Sequence, residues 1–151
     1  MDIFDRIKQD HDTMRALLKR IDEQDGSNQR ATFDELHREL WAHGKVEEAV
    51  FYAALSQHRG ARAETMEGLN EHQMINGLVE QLNAMPSGNG AWTAKMQVLA
   101  ELLRHHIDEE EEELFEEARD ALKDERAAEL GRIFDERKGQ ALAAVAPLPG
   151  T

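Results

Sequence analysis

Residues 102–115 form the sequence LLRHHIDEEEEELF, in which His106 and Glu110 lie four positions apart. With Leu99 and Leu103 they make a stripe at three-four spacing, which places all four side chains on one face of a helix. A buried carboxylate destabilises a fold unless it is paired or bound to a metal. This stretch therefore predicts a helix that contributes polar groups to a buried site.

The same anomaly recurs on three other predicted helices. In WAHGKVEEAVFYAAL, residues 41–55, His43 and Glu47 repeat the four-residue spacing. Two further stripes each carry a single histidine where a leucine would suit the core. The residues concerned are His11, His43, Glu47, His72, His106 and Glu110. A lone histidine on an apolar stripe is more often a hydrogen-bonded core residue, but matched positions on four helices favour one shared cation site.

Breaks in the helical pattern divide the chain into segments. Polar turn clusters occur at 24–28 and 59–60, and the clearest loop is MPSGNG at 85–90. The pattern predicts four long helices and a shorter fifth, at about 2–23, 29–58, 61–84, 91–121 and 124–139. Short loops between long helices favour antiparallel neighbours. The predicted fold class is all-α, an antiparallel up-down-up-down four-helix bundle with a short C-terminal fifth helix.

Length and composition limit the remaining possibilities. The 151 residues suffice for one domain with its own core, which we expect over 1–140, with a flexible C-terminal tail over 141–151. The chain has no cysteine, which excludes iron–sulfur clusters, cysteine zinc sites and thiol catalysis. A net charge of −13 argues against nucleic acid or an anionic membrane as the main partner. With no signal peptide and no membrane span visible, a cytoplasmic protein is expected.

The residue types narrow the choice of cation. Imidazole with carboxylate suits iron, and also manganese or zinc. Two carboxylates among four histidines are too many ligands for one tetrahedral zinc ion, and they suit two metals bridged by the carboxylates. The chain contains no Glu-x-x-His pair and no His-Glu-x-x-His motif, so the order of histidine before glutamate is its distinguishing feature.

That order, H…HxxxE…H…HxxxE, is similar to the HHE family of hemerythrin-like proteins. The matching segments are IKQDHDTMRALL, WAHGKVEEAVFYAAL, NEHQMINGLVEQL and LLRHHIDEEEEELF. The resemblance implies a helical bundle around two iron ions, bridged by an oxo or hydroxo group and able to meet dioxygen. It also implies that the four histidines, His11, His43, His72 and His106, are terminal ligands, and that Glu47 and Glu110 bridge the two irons.

The sequence departs from the oxygen-carrying members of that family at two positions. Where those members have a second histidine four residues after the third-helix histidine, this chain has Asn76. One iron is then left with a vacant position, or it takes a carboxylate or solvent. The oxygen carriers also place the last carboxylate five residues after its histidine, which corresponds to Glu111. Helix geometry favours Glu110, about 40° around the axis from His106 against about 140° for Glu111, although a π-bulge would reverse that choice.

Several nearby residues are left out of the predicted site. His105 points off the apolar stripe, and His37 and His58 are expected near helix surfaces or ends. Glu48 is expected behind the ligands or outside the site, and Tyr52 is not included although it lies within reach.

Three functions remain open. The first is a di-iron protein that binds or senses dioxygen, a related small molecule or iron. The second is an oxidoreductase acting on peroxide, nitric oxide or ferrous iron. The third is a helical interaction module whose site is structural and occupied by zinc. Asn76 favours sensing or redox reactivity over simple oxygen carriage, and any signal would need a separate protein partner.

Overall fold

The structure is a computed structural model that describes residues 1–145. Helix α1 is Ile3–Glu23 and α3 is Arg62–Ala84. Helix α2 runs through Gly26–Glu47, a π-helical turn at Glu48–Tyr52, and Ala53–Leu55. Helix α4 likewise runs through Gly90–Glu109, a π-helical turn at Glu110–Leu114, and Phe115–Ala121. Helix α5 is Asp124–Ala144, and Arg59–Ala61 forms a short 3-10 turn before α3.

The helical bundle predicted from the sequence is confirmed. Helix α1 packs against α2, α3 packs against α4, and α5 packs against both α1 and α2. Helix α5 has 21 residues and ends five positions beyond the predicted 139. It therefore includes the first four residues of the predicted tail at 141–151, whose remainder from 146 lies outside the described residues. No helix in the described part of the chain is long and apolar enough to cross a membrane.

Local sequence explains where the helices begin. Asp2 caps α1 because its carboxylate accepts a hydrogen bond from the backbone N–H of Asp5 at 2.9 Å. Asn89 caps α4 in the same way, accepting from the backbone N–H of Trp92 at 2.9 Å. These side chains satisfy backbone donors that have no partner within the helix.

One π-helical turn begins directly after Glu47, and the other begins at Glu110. A π turn brings residues five apart onto one face, so Tyr52 shares the inward face with Glu47, and Phe115 shares it with Glu110. Both aromatic residues are buried. The wider turn also allows Val50, Phe51 and Tyr52 to be buried consecutively, which a regular α-helix does not permit on one face.

The apolar core consists of two clusters. One contains Ile7 and Val46 near one end of the bundle, and the other contains Met14 and Leu40 near the opposite end. On α1 His11 lies between Ile7 and Met14, and on α2 His43 lies between Leu40 and Val46. The polar site is therefore sealed by apolar packing at both ends.

Candidate metal centre

All six residues predicted for the site are buried and lie together in the centre of the bundle. Their exposed fractions are 1% for His11, 4% for His43, 0% for Glu47, 7% for His72, 4% for His106 and 4% for Glu110. They form two overlapping groups, each with two histidines and the same two glutamates, whose potential ligand atoms lie within 4.8 Å of one another. We call the group with His11 and His43 the first half-site and the group with His72 and His106 the second half-site.

Each glutamate faces both half-sites. Glu47 lies 3.4 Å through Oε2 from Nε2 of His43 and 3.1 Å through Oε1 from Nε2 of His72. Glu110 lies 3.3 Å through Oε1 from Nε2 of His11 and 3.5 Å through Oε2 from Nε2 of His106. One oxygen of each carboxylate is thus directed to each half-site, which is the arrangement that a carboxylate bridging two cations requires.

Several inward-facing atoms lack any hydrogen-bond partner. They are Nε2 of His11, Nε2 of His43, both carboxylate oxygens of Glu47, and Oε1 of Glu110. Buried polar atoms are almost always paired in folded proteins, and each unpaired one destabilises the fold by about 1–3 kcal/mol. These atoms belong to the two overlapping groups, and their lack of partners indicates that a bound cation completes the site.

The outward nitrogen of every site histidine contacts a carboxylate. The Nδ1 atoms lie 2.6–2.7 Å from the nearest carboxylate oxygen, in the pairs His11–Glu111, His43–Asp10, His72–Glu48 and His106–Glu71. Such a partner accepts the Nδ1 proton, fixes the ring orientation and leaves the Nε2 lone pair for a metal. The sequence prediction considered Glu48 and Glu111 without giving them this role, and it did not consider Asp10 or Glu71. Each of the four carboxylates lies on a different helix from the histidine it contacts, so spacing along one helix gives no signal of the pairing.

The comparison with known protein families agrees with this geometry. A model of the hemerythrin HHE cation-binding domain matches residues 2–118. The chain belongs to the hemerythrin HHE cation-binding domain family. Among solved structures, an HHE cation-binding domain-containing protein from Mycobacterium kansasii has a TM-score of 0.84, covering 95% of this chain and 89% of that chain at 24% identity. That similarity concerns the fold.

A second relative is much longer than this HHE domain. It is named DNA nickase, comes from Nostoc sp., and is 26% identical over 141 residues. The alignment covers 93% of this chain but only 40% of the relative. The chain thus spans less than half the length of that protein.

The two half-sites of this HHE domain differ in the charges behind their histidines. In the first half-site Asp10 contacts Arg6 at 2.7 Å and Lys138 at 2.8 Å, and Glu111 contacts Arg15 at 3.2 Å. In the second half-site, no lysine or arginine within residues 1–145 pairs with Glu48 or Glu71.

Without a metal, protons balance the charges of the site. Burial opposes the charged form of His43, but the negative charges of Glu47 and Asp10 and the polar contacts with both carboxylates together outweigh burial and raise the pKa of His43 to about 9. His72 is likewise disfavoured in its charged form by burial, yet its contacts with Glu47 and Glu48 raise its pKa to about 10. Burial and the charge of Glu47 raise the pKa of Glu110. Burial also opposes the charged form of Glu47, but the charge of His43 together with polar contacts with Glu110, His43 and His72 outweighs burial and lowers the pKa of Glu47. The metal-free site therefore holds imidazolium ions where cations would sit.

Tyr52 is a further site residue that the sequence prediction left out. Its buried hydroxyl donates a hydrogen bond to Oε2 of Glu110 at 2.6 Å, and its ring stacks on His72 with 5.4 Å between centroids. Gly68 makes room for it, since a Cβ there would lie 2.6 Å from the tyrosine oxygen. Position 52 carries no signal of this role unless the π turn is known, because a regular helix turns residue 52 away from the face of Glu47.

A cavity of about 330 Å³ opens beside the site. The four site histidines form part of its wall, together with apolar side chains, among them Met14, Leu40, Ile75, Val79, Leu103 and Ile107. Its polar residues include Lys45, Glu48 and the exposed Asn76. Asn76 thus borders the access route to the site rather than being enclosed within it.

The histidines and the glutamate that the sequence prediction did not include among the ligands lie in different parts of the structure. His105 has a side chain 65% exposed and contacts Glu109 at 2.7 Å, so it lies outside the two half-sites. His37 is half-buried and lines the cavity, and His58 is half-buried near the end of α2. Glu111 contacts the outward nitrogen of His11, whereas Glu110 occupies the central position.

Proposed function

We propose that this HHE domain binds two iron ions and uses them to bind or sense dioxygen or a related small molecule. The proposed ligands are His11, His43, Glu47, His72, His106 and Glu110. The observation that carries the proposal is the pair of buried groups that share Glu47 and Glu110, in which Nε2 of His11, Nε2 of His43 and three glutamate oxygens have no hydrogen-bond partner.

The donor set favours two iron ions over one zinc ion. Two overlapping groups share both carboxylates. One tetrahedral ion binds four ligands, so a single zinc ion would leave the two histidines of the other group without a metal. Mixed imidazole and carboxylate donors suit iron, and helical bundles elsewhere hold di-iron centres through inward-facing histidines and carboxylates. Iron held in this way supplies redox changes and open coordination positions for a small ligand.

The chain itself performs three tasks in this proposal. The carboxylates at Nδ1 hold each imidazole with Nε2 directed inward, Glu47 and Glu110 supply negative charge between the half-sites, and the apolar clusters exclude bulk water. The cavity then gives a small molecule a route to the histidines.

Metal analysis combined with optical spectra of the aerobically purified protein tests the proposal directly. We expect about two irons per chain, as two carboxylate-bridged positions require, and near-ultraviolet absorption that changes on reduction and returns in air. Stoichiometric zinc without iron, after expression with ample iron, would favour the structural alternative and refute the proposal.

Tyr52 favours a second candidate, a di-iron oxidoreductase acting on peroxide, nitric oxide or ferrous iron. Its hydroxyl lies 2.6 Å from Glu110 and supplies a proton beside the site, where general acid groups act over such distances. If this candidate is correct, Tyr52→Phe lowers turnover of one of these substrates while the iron content stays unchanged. Equal turnover with and without the hydroxyl would remove the observation that favours it.

The name of the Nostoc relative raises DNA as a possible partner. We infer that this chain does not use DNA as its main partner, because its net charge of −13 repels phosphate. Incubation of the iron-loaded protein with supercoiled plasmid at physiological salt should leave the plasmid intact, and nicking would contradict the inference. A cytoplasmic location likewise stays a prediction.

A further inference from the structure

Lys138 of α5 is a buried lysine that lies outside the ligand set. Its side chain is 3% exposed, and its ammonium group contacts Oδ2 of Asp10 at 2.8 Å and Oε1 of Glu39 at 2.6 Å. A buried ammonium destabilises a fold unless it is paired and hydrogen-bonded. Since an apolar side chain would fill this position at lower cost, the pairing with Asp10 requires an explanation.

Asp10 joins Lys138 to the metal centre. Its Oδ2 contacts both the ammonium of Lys138 and Nδ1 of His43, at 2.8 and 2.7 Å, and its Oδ1 accepts from Arg6 at 2.7 Å. Both carboxylate oxygens are thus held by donors from three helices, α1, α2 and α5. A carboxylate fixed in this way has one orientation available, and it presents Oδ2 to the imidazole.

The orientation of Asp10 determines how His43 faces the centre. Because Asp10 accepts a hydrogen bond from the Nδ1–H of His43, the ring directs its Nε2 inward, 3.4 Å from Glu47. The equivalent partner in the second half-site is Glu48, whose side chain is 41% exposed. Any effect of Lys138 should therefore be confined to the first half-site.

We propose that Lys138 is a positioning residue for the first half-site, holding His43 in place through Asp10 so that this position retains its cation more firmly. The inference rests on the proposed di-iron function and assigns the C-terminal helix a part in it. Partners behind a ligand histidine typically change metal affinity by about 10- to 100-fold when removed.

Release of iron to a coloured ferrous chelator, from the reduced and iron-loaded protein under anaerobic conditions, tests the proposal. In Lys138→Met, we expect one of the two iron equivalents to leave about 10- to 100-fold faster, while the other leaves at the wild-type rate. Asp10→Asn should accelerate the same equivalent, and the double variant should be no faster than Asp10→Asn, because both substitutions interrupt one chain of contacts.

Arg137→Met is the matched control. Arg137 is the exposed neighbour of Lys138 on α5, and its substitution removes the same charge from the same helix. It should release both equivalents at the wild-type rate. Thermal melting of each metal-free variant verifies that it folds, and if Lys138→Met does not fold, Lys138→Gln should give a smaller acceleration of the same equivalent.

Three results would overturn the proposal. They are unchanged release in Lys138→Met (or in Lys138→Gln where it takes its place), equal acceleration of both equivalents, and additive effects of the Lys138 and Asp10 substitutions. A wild-type protein that holds no iron would refute the proposed function as well, and this outcome is distinguishable because it needs no variant.

Discussion

The two half-sites use the same ligand types and share both glutamates, yet their surroundings differ. Behind His43 lies Asp10, which is buried and held by Arg6 and Lys138. Behind His72 lies Glu48, which is partly exposed at the cavity wall. The carboxylate behind His43 is thus enclosed by charged groups from α1 and α5, whereas the carboxylate behind His72 is partly exposed to solvent.

This difference shows how one bundle can make two cation positions unequal. A carboxylate held by Arg6 and Lys138 keeps one orientation and fixes the imidazole it contacts, so His43 of the first half-site is the more firmly positioned histidine. Tyr52 contacts this half-site through both His72 and Glu110, and Asn76 borders the cavity beside it. We therefore expect retention to depend on the first half-site and ligand access on the second.

The largest effect is expected from a substitution of Glu47, because this residue belongs to both half-sites and its loss affects both cation positions. Glu47→Gln replaces a bridging carboxylate by a neutral amide, a poorer metal donor, and iron content should fall from about two per chain to nearly none. Elemental analysis measures this. Glu112→Gln, an exposed substitution with the same charge change, should retain wild-type iron, and a Glu47→Gln protein that keeps both irons would show that Glu47 is not a ligand.

Removal of the metal should lower the melting temperature at neutral pH. Each cation bound only by the folded state at about 1,000 times its dissociation constant adds about 4 kcal/mol to the free energy of unfolding. For a domain of this size the melting temperature should then fall by about 8–16 °C for each of the two cations removed. Calorimetry of iron-loaded and chelator-treated protein tests this, and coincident transitions would contradict it.

The stability of the metal-free protein should depend on pH. His43 and His72 have pKa values of about 9 and 10 in the folded state, above the value of about 6.5 expected when unfolded. Their contribution to stability is complete below about pH 6.5 and is lost as the pH rises through their folded pKa values. The melting temperature of metal-free protein should therefore fall between about pH 6.5 and 10. Iron-loaded protein, whose histidines are already deprotonated, should change less over that range.

Two glycines of α3 allow a smaller test confined to the second half-site. Gly68→Ala places a Cβ 2.6 Å from the Tyr52 oxygen, so the hydroxyl must leave Glu110, at a cost of about 1–3 kcal/mol. Gly77→Ala meets nothing within 4 Å and should instead stabilise the helix by about 0.5–1 kcal/mol. Denaturant unfolding of both variants compares them, and a Gly68→Ala protein as stable as Gly77→Ala would show that the hydrogen bond from Tyr52 to Glu110 does not depend on Gly68.

The smallest expected effect concerns the second half-site at its cavity border. Asn76→His should weaken azide binding to the iron-loaded protein, because an imidazole one turn after His72 competes for the vacant position. Glu111→Ala should leave the azide-difference spectrum in place, since Glu111 contacts His11 and Arg15 of the first half-site. If Asn76→His leaves the spectrum unaltered, azide does not compete for a position beside Asn76, and if Glu111→Ala abolishes it, azide binding depends on the first half-site.

Sequence analysis predicted the features that depend on one helix at a time. The spacing of His43 and Glu47, or of His106 and Glu110, places both side chains on one face wherever the helix lies in space. The structure buries both pairs at the predicted positions. The assignment of the six residues as metal ligands stays a prediction until metal analysis is done.

Other features were not predictable from the periodicity. The π turn after Glu47 places Tyr52 on the inward face, whereas a count of 3.6 residues per turn turns it away. Glu71 flanks His106 from a different helix, 35 residues away in sequence. Neither Tyr52 nor Glu71 lies on the predicted apolar stripe of its helix, so the periodicity gives no signal of either contact.

By itself, the sequence determined a helical bundle with imidazole and carboxylate groups on its inward faces, because helix periodicity is a local property of the chain. Tertiary structure decided which groups stand behind each histidine, since those contacts join residues far apart in sequence. The pair Lys138 and Asp10, separated by 128 positions, is the clearest example. The inequality of the two half-sites arises from such contacts, because the electrostatics of a buried site depend on every charge that the fold brings near it.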